Sequence, residues 1–252
     1  MPVSTPLPAL VVAGGRIGGA YAEAAGTSIK ALVPVAGKPV IAYLLDALRG
    51  LPEIGSVCVV GPEDVRDALG EGILWEAETG SAPGNMEAGI RRLGTPETLL
   101  LCASDTPLVS AKALQGFIAQ APKDADICLP LVPKENYLAR FPDGRDVFVR
   151  LKEGKMTAGS QFLIRPEPVL RNRALIERFF NSRKSQIAMA MAIGLPTVTR
   201  FLAGRLSVAE VEKKLTDLSR CHCRAVPGCA PELAFDIDDL HDLRYAERII
   251  SG

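Results

Sequence analysis

Four glycines and an arginine follow the first apolar run of the chain, in the string VVAGGRIGGAYAEAAG (residues 11–26). Glycine lets a backbone approach a ligand closely and take up positive φ, so the N–H groups of the Gly14–Gly19 turn can cradle phosphate oxygens. Lys30 and Lys38 add positive charge in SIKALVPVAGKPV (residues 28–40). Two aspartates complete the set: Asp105 ends the apolar run of LLLCASDTPLVS (residues 99–110), and Asp238 sits in FDIDDLHDL (residues 235–243). Magnesium is held through one or two carboxylates together with phosphate oxygens and water. Two aspartates far apart in sequence that meet at one sheet edge therefore fit a Mg²⁺–phosphate site. Each residue also has a plainer reading. Asp105 could cap a turn, Asp236, Asp238, Asp239 and Asp242 could form a solvated helix start, and Lys38 could be a solvated turn residue.

The glycines by themselves fit more than one phosphate-binding design. The P-loop string G-x-x-x-x-G-K-[ST] is absent from the chain. Ala13, Gly15 and Gly18 give A-x-G-x-x-G after a strand, a degenerate dinucleotide fingerprint. That design also wants an acidic residue about 20 positions on, and here that region, ALVPVAGKP, has no acid before Asp46. A separate cluster, CHCRAVPGC, places Cys221, His222, Cys223 and Cys229 close together. Thiolates and imidazole suit zinc, but this spacing matches no common structural zinc site.

The elements that must position these residues read as an alternation. ALVVAG is a strand. PVIAYLLDALRGL is a helix with Val40, Ile41, Leu44, Leu45 and Leu48 on its apolar face. IGSVCVVGP and LLLCA are strands buried on both faces, with Cys58 and Cys102 as core packing. APGNMEAGIRRLG reads as a loop leading into a short helix, Ser110 as the N-cap of AKALQGFIAQA, and ADICLPLV as a further strand. FPDGRD reads as a hairpin turn, and VFVRLKEGKMTAGSQFLIRP as paired strands joined at Glu-Gly. Residues 167–218 read as largely helical, with Ser207 as a cap. The tail AFDIDDLHDLRYAERI reads as a short strand rejoining the sheet, an acidic turn and a last helix. This order predicts an α/β fold with a mostly parallel sheet covered by helices on both faces. We expect a single domain over residues 1–252 with a helical insertion at about 167–218. In such sheets ligands bind beyond the carboxyl ends of the strands.

The chain has 252 residues and a formal net charge of zero. This argues against a broad basic surface for nucleic acid. The most membrane-like segment, Ile187–Val198, is short of the roughly 20 apolar residues a span requires and reads as a buried helix and turn. No secretory signal is visible at the start, so a cytoplasmic protein with reduced thiols is expected.

Three patches in order carry a family resemblance: the glycine loop running into KALVPVAGKP, then LLLCASDTPLVS, then FDIDDLHDL. Together they resemble the nucleotidyltransferases of the molybdenum-cofactor guanylyltransferase type and, more broadly, the sugar-phosphate nucleotidylyltransferases. The resemblance implies a three-layer α/β/α sandwich with a mixed, mostly parallel, Rossmann-related sheet. It implies Mg²⁺-dependent transfer of a nucleotide from an NTP to a small phosphorylated acceptor, with release of pyrophosphate. By the same resemblance Ala13, Gly14, Gly15, Gly18 and Lys30 hold the triphosphate, Asn85 lies where the base is contacted, and Asp105 and Asp238 bind the metal. Lys30, Asp105 and Arg16 become the catalytic candidates. The arginine that the family carries a few residues beyond the glycines is missing, which leaves Arg16 as the nearest substitute. KMTAGSQFLIRP is the candidate acceptor contact. The competing readings are a nucleotide-binding regulator that has lost catalysis and an NAD(P)-dependent oxidoreductase.

Overall fold

In the computed structural model, residues 6–182, Arg200 and residues 204–252 are described. The apolar segment Ile187–Val198 lies outside them. The core is a sheet built on β1 (Leu7–Val12), with β2 (Pro34–Val35) and β3 (Lys38–Pro39) forming a separate small hairpin. The sheet continues through β4 (Ile54–Gly61), β5 (Ile73–Ala77), β6 (Leu99–Ala103), β7 (Ile127–Pro133), β8 (Val149–Leu151), β9 (Gly154–Ala158), β10 (Gln161–Ile164) and β11 (Cys223–Pro227). Its order is β5-β4-β1-β6-β10-β7-β9-β8, with β11 added on β7. Strands β5, β4, β1 and β6 are parallel, and among the described residues only β9 and β10 run against the common direction.

Strand alternation sorts the core into two layers. Ala9, Val11, Val57, Val59, Leu100 and Cys102 face one side. There they meet α2 (Val40–Arg49), α5 (Ala111–Gln120) and the last helix, Leu240–Ser251. Leu10, Cys58, Val60 and Leu99 face the other side, against α4 (Ala82–Arg92), α7 (Pro166–Arg171), α8 (Arg173–Ser182) and α9 (Val208–Ser219). The last helix is α10. The remaining helices are α1 (Gly19–Ala25), α3 (Glu63–Arg66) and α6 (Lys134–Arg140). The apolar face read for α2 is the buried one, and Ser110 caps α5 by accepting from the Ala113 N–H. Ser207 forms a full capping box with Glu210 at the start of α9.

Three local expectations are corrected. APGN is the first turn of α4: Ser81 accepts from the Gly84 N–H at 3.1 Å, and a proline suits a helix's opening position. FPDGRD is a helix-to-strand loop rather than a hairpin turn. Helix α6 precedes it, and Tyr137 fixes the loop by packing edge-on against Phe141 and Phe148. The segment 234–238 forms no strand, and the piece that rejoins the sheet is β11, pairing with β7. For the same reason the cysteine cluster does not converge. Cys221 and Cys223 pack in the layer under α9, while Cys229 packs in the opposite layer, and burial raises all three thiol pKa values.

Helix α4 lies very close to the sheet because Gly89 has no side chain. A Cβ there would overlap the Leu10 side chain and approach Val60 Cγ2 to 2.9 Å. Gly89→Ala overpacks this contact, so we expect a loss of roughly 1–3 kcal/mol, read as a lower urea midpoint at unchanged m-value. An unaffected midpoint would show that α4 can move away freely.

Candidate active site

The carboxyl ends of β1 and β6 are adjacent, since the two strands pair in parallel from Ala9 opposite Leu100 to Val12 opposite Ala103. From β1 the chain enters the glycine loop. Ala13 is fully buried, and its N–H donates to Val60 O at 2.8 Å. Gly14 has no room for a side chain, because a Cβ would press on the Asn85 amide and come within 2.9 Å of Glu78 Oε2. The loop then folds back on residues 28–30: Ile17 N donates to Ser28 O, Lys30 N donates to Gly15 O, and Arg16 bridges Ile29. A Cβ on Gly15 would sit 3.3 Å from Lys30 Cβ. Glycine at 15 therefore lets the lysine side chain lie along the loop.

Lys30 points inward and forms salt bridges with Asp105 and Asp238. Burial alone would lower its pKa, but Asp105 and then Asp238 outweigh it and raise the pKa, so the ammonium stays charged. Asp105 follows β6 and is largely buried. Its main-chain carbonyl accepts from the Ile237 N–H at 3.1 Å, which ties the C-terminal segment to the strand end. Behind it, Gln161 Nε2 donates to Thr106 Oγ1 at 3.3 Å, both residues fully buried.

The plainer readings of the aspartates divide cleanly. Ser110 supplies the cap on α5, so Asp105 is not needed there. Asp239 caps α10 by accepting from the His241 and Asp242 N–H groups, and Asp242 accepts from the Asp238 N–H. Asp236 and Asp238 are left facing the cleft, because Phe235 and Ile237 between and beside them are buried in the core. Asp236 is the residue that sequence reasoning missed as a ligand, and the alternation F-D-I-D was the signal for it. Carboxylate oxygens of Asp105, Asp236 and Asp238 lie within 4.8 Å of one another.

The other candidates are distributed around this centre. Arg16 is exposed, donates to Gly14 O at 2.9 Å and pairs with Glu78, away from the carboxylates. Asn85 is buried, with Oδ1 accepting from Thr79 N at 2.7 Å and Oγ1 at 3.0 Å, so it braces the glycine loop against the turn before α4. Gly18 is the N-cap of α1. Lys38 pairs with Asp46 and lies over the Tyr43 ring, so its charge is committed to α2. Tyr21, unremarked in the sequence, packs nearby with its hydroxyl pushed up to about 12 by burial.

The donor set fits a hard cation. All the converging ligand atoms are carboxylate oxygens, and Asp105 Oδ1 is buried with no hydrogen-bond partner. Asp236 is pushed up to about 7 by burial first and then by Asp105 and Asp238, from an ordinary value of 3.8. The folded state thus retains a proton that the unfolded chain releases, and stability falls as pH rises from about 4 to about 7. Asp236→Asn removes this burden. In EDTA it should raise Tm at pH 8 and much less at pH 4, and equal shifts at both pH values would contradict the assignment.

Comparison with known proteins bears on the family and the fold. The family model of the MobA-like NTP transferase domain matches residues 9–193. The chain is 28% identical over 216 residues to the bifunctional protein GlmU of Dechloromonas aromatica, covering 77% of this chain and 48% of GlmU. It spans half or less of the curated relatives it matches, down to 21% for GlmU of Rhodospirillum rubrum. A hypothetical transferase from Thermus thermophilus superposes with a TM-score of 0.85 at 31% identity, covering 94% of this chain and 99% of that one. The 4-diphosphocytidyl-2C-methyl-D-erythritol synthase of Anaerococcus prevotii shares the fold, with a TM-score of 0.60 at 13% identity, covering 98% of this chain and 97% of that one.

Proposed function

The chain belongs to the MobA-like NTP transferase family and carries a nucleotidyltransferase domain, and we propose that it transfers a nucleotide from an NTP to a small phosphorylated acceptor. The observation that carries this reading is the Lys30 ammonium joined to Asp105 and Asp238 beside a glycine loop at the carboxyl ends of β1 and β6. Three distant segments deliver one cation and three carboxylates to one point, next to backbone that can reach a triphosphate.

In the proposed reaction a phosphate oxygen of the acceptor attacks the α-phosphorus. A new P–O bond forms as the bond to the oxygen bridging to the β-phosphate breaks, and pyrophosphate leaves. Such a transfer asks for positioning and charge stabilisation rather than a covalent nucleophile. The Gly14–Gly19 backbone would hold the triphosphate, and Lys30 would turn from the carboxylates to its oxygens. Asp105, Asp236 and Asp238 would hold Mg²⁺, which when bound neutralises phosphate charge and stabilises the leaving group. Arg16 would join the triphosphate by exchanging Glu78 for phosphate. Gln161 and Thr106 act as positioning residues behind Asp105.

The Arg16–Glu78 pair also supports a second reading, a nucleotide-binding regulator without turnover. Pyrophosphate release, assayed with each of the four NTPs, Mg²⁺ and a panel of phosphate monoesters, separates the two. Under the enzyme reading Asp105→Ala abolishes turnover while the protein remains folded, and full activity in that variant would remove Asp105 from the site. Lys30→Ala should weaken NTP binding by roughly 1.5–3 kcal/mol, the worth of a charge-assisted contact. Unchanged affinity by calorimetry would place the triphosphate elsewhere.

A further inference from the structure

Helix α1 starts directly after Gly18 of the glycine loop and carries Tyr21. Tyr21 is only 9% exposed and packs in the core layer shared with α2, α5 and α10. Its hydroxyl oxygen is buried and has no hydrogen-bond partner among the described residues. A buried hydroxyl in this state costs free energy, and such groups are few in folded proteins. The loop folds back on residues 28–30, with Ile17 N donating to Ser28 O and Lys30 N to Gly15 O, so α1 and Lys30 leave the same short stretch of backbone. The charges that act on the Tyr21 hydroxyl are accordingly those of the site: Lys30 most, then Asp105, Asp242 and Asp238. Burial outweighs the pull of Lys30 and pushes the hydroxyl up to about 12, so its proton stays in place at neutral pH.

The same centre holds a second orphan. Lys30 joins Asp105 through Oδ2 and Asp238 through Oδ1, while Asp105 Oδ1 is buried without a partner. An ammonium carries three N–H donors on a flexible stem, and a phenol oxygen can both accept and donate. In the free protein the two carboxylates fix the direction of the ammonium, and the hydroxyl has no part in it. Engaging those carboxylates with Mg²⁺ would remove that hold and leave the ammonium many directions to take. A hydroxyl that accepts from one of its N–H groups restricts it again. An interaction made only in the loaded state adds its whole worth to binding, because nothing equivalent is lost from the free protein.

Resting on the nucleotidyltransferase reading, we propose that Tyr21 is a positioning residue for the nucleotide: its hydroxyl, unpartnered in the free protein, accepts from the Lys30 ammonium once Asp105 and Asp238 are engaged with Mg²⁺, and so holds Lys30 on the triphosphate. Tyr21 acts through Lys30 and does not itself touch the reacting atoms.

The test is calorimetric, on the full chain with Mg²⁺ and the four α,β-methylene nucleoside triphosphates, of which the one that binds the wild type is kept. Tyr21→Phe removes the hydroxyl and nothing else. It should weaken binding of that analogue about tenfold, the worth of a hydrogen bond to a charged group. Its Tm in EDTA without nucleotide should stay level or rise, since an orphaned group has been removed. In a Lys30→Met background the same substitution should change the affinity less than about twofold, because the hydroxyl acts through the lysine. Lys30→Gln takes the place of Lys30→Met if the latter shows no cooperative thermal transition. Equal affinity for Tyr21→Phe and wild type overturns the role of Tyr21 and leaves the nucleotidyltransferase reading standing, as does a loss that persists undiminished without Lys30. A lowered Tm in EDTA also overturns it, by showing that the hydroxyl is already partnered in the free protein. Failure of all four analogues to bind the wild type overturns both.

Discussion

The charge on Lys30 is the interaction around which the rest of the site is arranged. An ammonium largely withdrawn from water is costly unless it is paired. Here the pairing carboxylates come from residues 105 and 238, one following β6 and the other lying far along the chain before α10. Holding them together requires that β1 and β6 be neighbours and that the C-terminal segment be tied to Asp105, which the Ile237 hydrogen bond does. The glycine loop satisfies the last condition, because Gly15 leaves the lysine side chain room to lie along it. Three carboxylates around one lysine leave an excess of negative charge, and that excess is what a divalent cation would relieve.

The helix caps explain why the acidic tail is not simply a solvated helix start. Asp239 and Asp242 take up the N–H groups at the head of α10, while Phe235 and Ile237 anchor the preceding extended stretch in the core. Two-residue periodicity then turns Asp236 and Asp238 to the cleft. Ser81, Ser110 and Ser207 do comparable work elsewhere, each accepting from the first turn of its helix. Capping by serine at α5 leaves Asp105 free for the site.

Much of this was legible in the sequence. Continuous apolar runs marked β1, β4, β6 and β7, the face of α2 followed from its 3.6-residue spacing, and the serine caps were readable at α5 and α9, while β5 went unread. These features depend on residues close together in the chain, so local pattern is enough to find them. The resemblance to a nucleotidyltransferase family likewise rested on three short strings, and the match over residues 9–193 shows that family.

Other features depended on which segments meet. Nothing in CRAVP announces that it will pair with β7, and the cysteines around it resembled a metal cluster until the sheet separated Cys221 and Cys223 from Cys229. Arg16 could be read as free to meet a phosphate until the fold brought Glu78 to it across 62 residues. Asp236 passed for surface charge because burial and two neighbouring carboxylates, which set its protonation, exist only in the folded chain. The sequence by itself determined the central parallel strands, the helix faces and caps, and the family. The convergence of Lys30 with three aspartates was decided by tertiary structure, because charges interact over distances in space that residue spacing along the chain does not encode.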